Sequence, residues 1–157
     1  MPTIKLKKYL DENNIKYITI KHSEAYTSQE IAASAHIKGK EFAKTVILKI
    51  NGKMAMAVLP ASYKIDFKSL NNFGLGENIR LANEMEFKDK FPECEVGAMP
   101  PFGNLYDMNV FVAESLSKNK VISFNSGTHK ELVKLKTLDY FNLVEPKIIK
   151  FTRKTLI

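Results

Sequence analysis

Lys44 is a charged residue in an otherwise apolar row of alternate residues in a predicted strand. The residues from Phe42 to Ile50 are predicted to form a β-strand, in which alternate side chains point to the same face of a sheet. On that basis Lys44 shares a face with Phe42, Val46, Leu48 and Ile50. Removing an ammonium group from water costs free energy unless the group meets an anion. Two interpretations stay open: a lysine that extends from the strand end to solvent, and a cation that faces a ligand.

The segment from Gly97 to Gly103 is predicted to be a stiff loop. It holds two glycines and two prolines in seven residues, and proline cannot join a regular strand ladder. Such a loop can direct backbone N–H groups at the carbonyl or phosphate of a ligand, and glycine permits a close approach. An ordinary rigid turn is the other interpretation.

A third segment, Asn125-Ser126-Gly127-Thr128-His129, follows the apolar strand predicted at Val121–Phe124. Its hydroxyls, imidazole and glycine at a strand end are suited to line a pocket. The same residues are equally typical of a turn with His129 exposed on its far side.

Other catalytic arrangements do not fit the sequence. His22, His36 and His129 are far apart and form no i, i+4 pair, and there is no Cys-x-x-Cys, so no metal site is expected. Neither a G-x-S-x-G elbow nor a P-loop is present. The single cysteine, Cys94, excludes an intramolecular disulfide and is expected to be a partly buried apolar residue rather than a nucleophile.

Short helices are predicted from capping residues and apolar periodicity. Thr3 is expected to cap a first helix with an apolar stripe of Ile4, Leu6, Tyr9 and Leu10, ending near Asn13-Asn14. Thr27 to Glu30 forms a capping box that opens a helix at Ile31–Ala35. Further helices are expected at Asp66–Asn72, Asn83–Phe91 and Leu138–Leu143.

The clearest strand signal is a hairpin. Val46–Ile50 and Met54–Leu59 flank Asn51-Gly52, the dipeptide that a type I′ turn favours. Other strands are expected at Tyr17–Lys21, Ile79–Leu81, Val110–Ala113, Val121–Phe124 and Leu132–Lys136. A turn is expected between Val110–Ala113 and Val121–Phe124. Short strands mixed with short helices predict one α/β domain over residues 1–157, with a mixed sheet flanked by helices.

Composition fits a soluble globular protein. The 157 residues are 45% hydrophobic and 26% charged, which makes disorder and coiled coil improbable classes. The first residues alternate between charged and apolar, and no run approaches the roughly 20 apolar residues of a membrane span, so neither signal peptide nor membrane association is expected. The net charge of +7 suggests a polyanionic partner without establishing one.

The three unusual segments together resemble a known family. Glu41-Phe42-Ala43-Lys44-Thr45, the Gly97-x-x-x-Pro101 loop with Phe102-Gly103, and Ser126-Gly127-Thr128-His129 have the order and spacing of the YbaK-like aminoacyl-tRNA deacylases. These are relatives of the editing domain inserted in bacterial prolyl-tRNA synthetases. The resemblance extends from about Tyr17 to Val144, and His22 to Thr27 is similar to a free-standing branch of the family.

The resemblance implies hydrolysis, in the cytoplasm and without a cofactor, of the ester that joins a wrong amino acid to the 3′-terminal adenosine of tRNA. Lys44 would hold the phosphate or sugar of that nucleotide, and Gly97 would present a backbone N–H to the aminoacyl group. Gly127 and His129 would form the opposite wall, with His129 as a size filter. The remaining substrate contacts implied are His22, Thr45, Pro101 and Thr128.

Such hydrolysis does not require a strong protein nucleophile. An aminoacyl ester is activated by its own ammonium group, and one N–H donor aimed at the developing oxyanion is worth roughly 3–4 kcal/mol. The absence of a Ser-His-Asp triad therefore does not count against the reaction. Either the vicinal ribose hydroxyl or the substrate side chain can assist, and the sequence does not choose between them.

The function expected is a free-standing, trans-editing deacylase for tRNA-Pro carrying alanine, cysteine or a similar small amino acid. Its partner is the aminoacyl-tRNA acceptor end, prolyl-tRNA synthetase is a candidate second partner, and a monomer is expected. Two alternatives remain: a non-catalytic module that binds aminoacyl-tRNA or a synthetase, and a protein that binds a small molecule unrelated to tRNA.

The basic residues concentrate near the two ends of the chain. Lys5, Lys7 and Lys8 lie at one end. From Lys118 onward only three acidic residues, Glu131, Asp139 and Glu145, accompany the basic residues Lys118, Lys120, Lys130, Lys134, Lys136, Lys147, Lys150, Arg153 and Lys154. They are predicted to grip the acceptor stem without regard to its sequence, while Lys44 alone acts inside the pocket.

Overall fold

Three of the four described α-helices begin where a short polar side chain caps them, and the fourth, Thr137–Val144, has no side-chain cap. The computed structural model describes residues 3–21 and 39–154. Helix α1 spans Ile4–Glu12, and the Thr3 hydroxyl accepts a hydrogen bond from the Leu6 N–H, a cap worth about 1 kcal/mol. Asp66 and Asn83 cap two later helices in the same way. The later helices are α2 (Phe67–Asn71), α3 (Glu84–Phe87) and α4 (Thr137–Val144).

The strands form one mixed sheet and one small ribbon. They are β1 (Tyr17–Lys21), β2 (Phe42–Ile50), β3 (Lys53–Pro60), β4 (Tyr63–Ile65), β5 (Ile79–Leu81), β6 (Asn109–Ala113), β7 (Val121–Asn125), β8 (Glu131–Lys136), β9 (Lys147–Ile149) and β10 (Thr152–Lys154). The sheet runs β1-β8-β7-β2-β3-β6-β9, and β5 also pairs with β2. Strand β2 is parallel to β7 and antiparallel to β3. The predicted α/β class with a mixed sheet flanked by short helices is confirmed.

The β2–β3 hairpin forms as predicted. Ile50 pairs with Lys53, and the two residues between them, Asn51 and Gly52, have φ angles of 52° and 81°. A type I′ turn requires positive φ at both positions, which Asn-Gly supplies at low cost. The hairpin places Lys44 opposite Leu59, and thereby fixes which face of the sheet Lys44 occupies.

The sheet separates two groups of buried side chains. On one face Ala43 and Ile47 of β2 pack with Leu6 and Leu10 of α1 and with Met99 and Phe102 of the Gly97–Gly103 loop. On the other face Val46, Leu48 and Ile50 pack with Tyr63 and Ile65 of β4 and with Phe151. Strands β4 and β10 pair with each other over that second face. We call the first side the loop face, and the second the ribbon face.

Some local predictions were wrong or incomplete. Ile4, predicted to lie in the apolar stripe of α1, is 78% exposed, because Leu6, Leu10 and the partly buried Tyr9 are the residues that face the sheet. The helix expected over Asn83–Phe91 has one α-helical turn, followed by a 3-10 helix at Lys88–Lys90. Another 3-10 helix, Glu114–Lys118, replaces the turn expected between β6 and β7.

Other expectations cannot be compared with the structure. The capping box from Thr27 to Glu30 and the helix at Ile31–Ala35 lie outside the described residues. Within the described ranges, none of the helices has the length and apolar character needed to cross a membrane.

Candidate active site

Two strands cover one edge of β2 and leave a gap between them. Strand β7 pairs with β2 at Phe42 and Ala43, and β5 pairs with it at Leu48 to Ile50. Among the described strands, neither lies opposite residues 44–46. A gap in a sheet edge exposes backbone donors and acceptors that a ligand can bind. Lys44 lies at this gap, which we call the β2 gap.

The environment of Lys44 disfavours its charge. The side chain is half-buried and shares the ribbon face with Val46, Leu48 and Ile50, as the alternation predicted. Burial lowers the pKa of Lys44, and the charge of Lys64 lowers it further. A second cation beside a half-buried lysine is unfavourable in the free protein, and an anion bound between the two would relieve it.

Lys64 belongs to a basic ribbon. It lies at the centre of β4 and pairs with Arg153 of β10, so the two cationic residues are cross-strand neighbours. Lys154 pairs with Tyr63 in the next position. The ribbon therefore carries the basic C-terminal residues towards Lys44. Helix α1, with Lys5, Lys7 and Lys8, packs on the loop face instead.

Two buried polar residues lie next to Lys44: Asn125, the first residue of the predicted Asn125–His129 segment, and Ser123, which was not singled out from the sequence. Ser123 pairs with Phe42, and Asn125 follows Phe124, the partner of Ala43, so both share the ribbon face with Lys44. Ser123 is 0% exposed and Asn125 is 6% exposed. Within the described residues, Ser123 Oγ and Asn125 Oδ1 have no hydrogen-bond partner. Leaving each group unsatisfied costs about 1–3 kcal/mol, so both are candidates for ligand contacts. The sequence signal that could have identified them is the occurrence of two polar residues, Ser123 and Asn125, at alternate positions of an apolar strand.

Hydrogen bonds join the two predicted loops on the other side of the sheet. The Glu95 N–H donates to the Gly127 carbonyl at 2.7 Å, and the Gly127 N–H donates to the Ala98 carbonyl at 2.9 Å. The His129 N–H donates to Oε2 of Glu95 at 3.3 Å. These bonds fix the position of Gly97 relative to His129 although the two are 32 residues apart.

The His129 ring orients the peptide that contains the Gly97 N–H. The imidazole is buried, with Nε2 2.7 Å from the Val96 carbonyl oxygen. A carbonyl oxygen only accepts, so Nε2 carries the hydrogen in this contact. Because a trans peptide is planar, the Gly97 N–H points away from the carbonyl that His129 holds. Gly97 is exposed, and within the described part of the chain its N–H donates to no acceptor. This N–H is available to a ligand.

The contacts seen for Gly127, Thr128 and Pro101 are with the protein. Gly127 has φ of 109°, and a Cβ there would collide with the Thr3 side chain, so close packing against α1 requires glycine. The Thr128 hydroxyl accepts from the Lys130 N–H. Pro101 is buried, and its carbonyl accepts from the Tyr140 hydroxyl at 2.6 Å. Substrate contacts for these three residues stay predictions.

The structure therefore brings Gly97, Gly127 and His129 together and places Lys44 on the opposite face of the sheet. Strand β7 links the two groups along the chain, because it ends beside Lys44 at the β2 gap and leads directly into the His129 segment. Thr45 is half-buried and points to the loop face, opposite to Lys44. His22 lies outside the described residues.

Ion pairs hold the β5 side of the gap. Glu86 of α3 accepts two hydrogen bonds of 2.8 Å from Arg80 of β5 and lies 2.6 Å from Lys49 of β2. Glu86 also completes a capping box with Asn83. The Arg80 guanidinium, first among several donors, holds the pKa of the Glu86 carboxyl well below its usual range. This network attaches β5 and α3 to β2.

Among the described residues, the site contains no group suited to metal or thiol chemistry. In the described ranges no three His, Cys, Asp or Glu side chains converge to hold a metal ion. Cys94 is partly buried, as expected, and burial raises its pKa to about 11, so the thiol is protonated near neutral pH. What the site offers is an oriented N–H donor, an imidazole, a half-buried ammonium group and buried hydroxyl and amide groups.

Comparison with known proteins identifies related sequences. Residues 22–143 match the family model described as the aminoacyl-tRNA editing domain. The curated protein Multifunctional Ser/Thr-tRNA deacylase ProXp-y of Escherichia coli K12 is 31% identical over 117 residues, which cover 71% of this chain and 69% of that protein. The protein of the same name from Escherichia coli O157:H7 matches equally well.

Solved structures share the fold over nearly the whole chain. The hypothetical protein APE2540 matches with a TM-score of 0.83 and 18% identity, covering 95% of this chain and 99% of its own. A candidate trans-editing enzyme for prolyl-tRNA synthetase matches with a TM-score of 0.80 and 14% identity, covering 95% of both chains. At these identities the likeness shows the fold alone.

Proposed function

The chain belongs to the aminoacyl-tRNA editing domain family and is an aminoacyl-tRNA deacylase, and we propose that it acts in trans, releasing small amino acids from mischarged tRNA. The acceptor end binds at the β2 gap. The charged part of the terminal nucleotide faces Lys44, and the aminoacyl ester faces Gly97. The observation that carries this proposal is the position of Lys44, a half-buried cation at a gap that a Gly97 loop borders from the other face.

The loop face provides the chemistry. The Gly97 N–H donates to the ester carbonyl oxygen as negative charge develops there, and His129 maintains the direction of that N–H through the Val96 carbonyl. The donor is positioned before the substrate arrives, so no reorganisation is needed during the reaction. His129 acts through the Gly97 peptide in this scheme, and its fixed ring also limits the size of the amino acid.

The ribbon face provides the binding. The Lys44 ammonium pairs with a phosphate or contacts the sugar of the terminal nucleotide. Ser123 Oγ and Asn125 Oδ1, which have no hydrogen-bond partner among the described residues, bond to the same nucleotide. The proposed set of substrate contacts also includes Gly127, Thr128, Thr45, Pro101 and His22.

The substrate is proposed to be a tRNA carrying a small amino acid. Alanine and cysteine on tRNA-Pro come from the family resemblance, and serine and threonine come from the name of the Escherichia coli relative. We propose the cytoplasm as the site of action, a monomer as the active form, and prolyl-tRNA synthetase as a candidate partner.

The direct test is release of amino acid from mischarged tRNA by this chain alone. The panel contains tRNA charged with alanine, cysteine, serine or threonine, and the wild type is compared with Lys44→Ala. We expect release from at least one substrate and a loss of about 10-fold or more in kcat/KM in the variant. The matched control is Lys16→Ala, at an exposed lysine between α1 and β1.

Each result has a distinct meaning. Full activity in Lys44→Ala contradicts the role of Lys44. No release from any substrate, with tight tRNA binding retained, favours a binding module over the hydrolase. Binding of a small molecule that does not change with salt, without tRNA binding, favours the third alternative.

A further inference from the structure

A cavity on the ribbon side of the molecule is lined by three lysines. Its volume is about 260 Å³, and it lies between the 3-10 helix Glu114–Lys118 and the β4–β10 ribbon. The described lining residues are Tyr63, Glu114, Ser115, Lys118, Lys150, Thr152 and Lys154. Three ammonium groups and one carboxylate make the lining cationic, and three hydroxyl side chains accompany them. We call it the lysine cavity.

The carboxylate does not neutralise this cavity. Glu114 lies 4.0 Å from Lys118 in an exposed pair, and exposed pairs of this kind interact weakly. Lys150 and Lys154 have no ion-pair partner among the described residues. The cavity therefore keeps a net positive potential when it is empty.

Ser115 gives a second and independent indication of a ligand. Its side-chain oxygen is buried, and within the described part of the chain it has no hydrogen-bond partner. A buried hydroxyl without a partner is unfavourable, and native structures contain few of them. A tetrahedral oxyanion in the cavity would provide the missing acceptor and would pair with the lysines at the same time.

The ribbon connects this cavity to the β2 gap. Arg153 and Lys154 are consecutive in β10, so their side chains point to opposite sides of the ribbon. Arg153 is the cross-strand neighbour of Lys64, which acts electrostatically on Lys44. Lys154 lines the lysine cavity. A polyanion bound at Lys44 would therefore meet cations of the ribbon on its way to the cavity.

We propose that the lysine cavity binds a backbone phosphate of the RNA substrate, upstream of the terminal nucleotide held at the β2 gap. This inference rests on the proposed function, because it assigns the cavity to the same tRNA. The ligand chemistry is a phosphodiester anion, bound by Lys118, Lys150 and Lys154 and hydrogen-bonded by Ser115. The site anchors the RNA and does not touch the reacting ester.

The test measures binding of uncharged RNA, so that it does not depend on catalysis. The two probes are a fluorescent acceptor-stem hairpin ending in CCA and the trinucleotide CCA alone. The variants are Ser115→Ala and the triple variant Lys118→Gln, Lys150→Gln, Lys154→Gln. The charge-matched control is Lys16→Gln, Lys88→Gln, Lys90→Gln, at exposed positions to which no RNA contact is assigned.

The expected results separate a formed site from diffuse attraction. The cavity triple variant should weaken hairpin binding by about 10-fold or more and reduce the slope of log affinity against log salt by about 1. Ser115→Ala changes no charge, so it should weaken hairpin binding by about 3- to 10-fold with the salt slope unchanged. Both should alter CCA binding by less than about 2-fold, since the trinucleotide ends before the cavity.

Several outcomes would overturn the proposal. An equal loss in the control triple variant means that net charge, and not the cavity, binds the RNA. Unchanged hairpin binding in Ser115→Ala means that no site is formed around that hydroxyl. Binding of inorganic phosphate that depends on Ser115, while hairpin binding does not, assigns the cavity to a small anion. A wild type that binds the hairpin as expected but releases no amino acid contradicts the proposed function and leaves this site standing.

Discussion

The two faces of the sheet present different kinds of site at the same gap. On the loop face, Gly97 and His129 are fixed by short hydrogen bonds between two loops, and one backbone N–H is left available. On the ribbon face, Lys44 is held in a position that burial and Lys64 make unfavourable. The Gly97 N–H is positioned before substrate binds, whereas the environment of Lys44 becomes more favourable when an anion binds there. The difference indicates a division of work, with chemistry on the loop face and substrate binding on the ribbon face.

Removal of the His129 imidazole should have the largest effect. We expect His129→Ala to lower kcat by about 100-fold, near the cost of one oxyanion donor, with KM changed by less than about 3-fold. The reason is that the Val96 carbonyl loses its donor and the Gly97 N–H loses its fixed direction.

The control for this variant is His129→Gln, whose side-chain N–H can still donate to the Val96 carbonyl. It should recover most of the lost kcat. If both variants lose activity equally, or if KM rises while kcat is kept, then His129 does not act through the Gly97 peptide.

Neutralising the basic C-terminal residues should raise KM for tRNA, whereas loss of His129 lowers kcat. We expect Lys150→Gln, Arg153→Gln and Lys154→Gln together to raise KM for tRNA by about 10-fold and to lower kcat by less than about 2-fold. Steady-state deacylation at two salt concentrations measures both values. A fall in kcat that exceeds the rise in KM would contradict a binding role for the ribbon.

The unfavourable position of Lys44 should also be visible in stability. Because its pKa is lowered in the folded state, the cation costs stability at neutral pH, and Lys44→Met should raise Tm. A gain of about 1 kcal/mol corresponds to roughly 2–4 °C for a chain of this size. The difference should shrink as pH rises from the lowered pKa towards the unfolded value of about 10.4.

Thermal unfolding in a buffer without phosphate measures this effect, with Lys16→Met as the control. A lower Tm for Lys44→Met at neutral pH would mean that Lys44 stabilises the free protein. Lys44 would then be favourably placed without a bound anion.

The smallest effect is expected at Glu86, which holds the β5 side of the gap. Its pKa is lowered in the folded protein, so its stabilising contribution is present above the unfolded value of about 4.3 and is lost as pH falls through and below it. Glu86→Gln should therefore have a lower Tm than the wild type at pH 7, and this difference in Tm should narrow below about pH 4. A difference that does not depend on pH would show that the carboxylate charge is not what matters.

The sequence predicted the local features of the fold and missed those that depend on distant contacts. The Asn51-Gly52 hairpin, the Thr3 cap and the face of Lys44 follow from a few neighbouring residues, and all three are confirmed. Strands β4, β9 and β10 were not predicted, because each has three residues and forms only through a partner far along the chain. The pairing of Lys64 with Arg153 is the clearest case.

The same limit applied to the candidate site. Chemically unusual residues could be identified as Lys44, Gly97 and His129, but their spatial relation could not. The contact of His129 with Val96 joins residues 33 positions apart, and no local pattern announces it. The two basic ends of the chain lie on opposite faces of the sheet, and only the C-terminal end is beside Lys44. This placement also depends on the completed sheet and could not be predicted from local sequence.

The most direct test of the division between the two faces is single-turnover deacylation at increasing enzyme concentration, with Lys44→Met and His129→Ala compared with the wild type. If the ribbon face binds and the loop face catalyses, Lys44→Met will need a higher enzyme concentration but will approach the wild-type rate at saturation. His129→Ala will saturate at the wild-type concentration with a rate about 100-fold lower. Equal losses of the saturating rate in both variants would contradict the division and would place Lys44 in the chemical step.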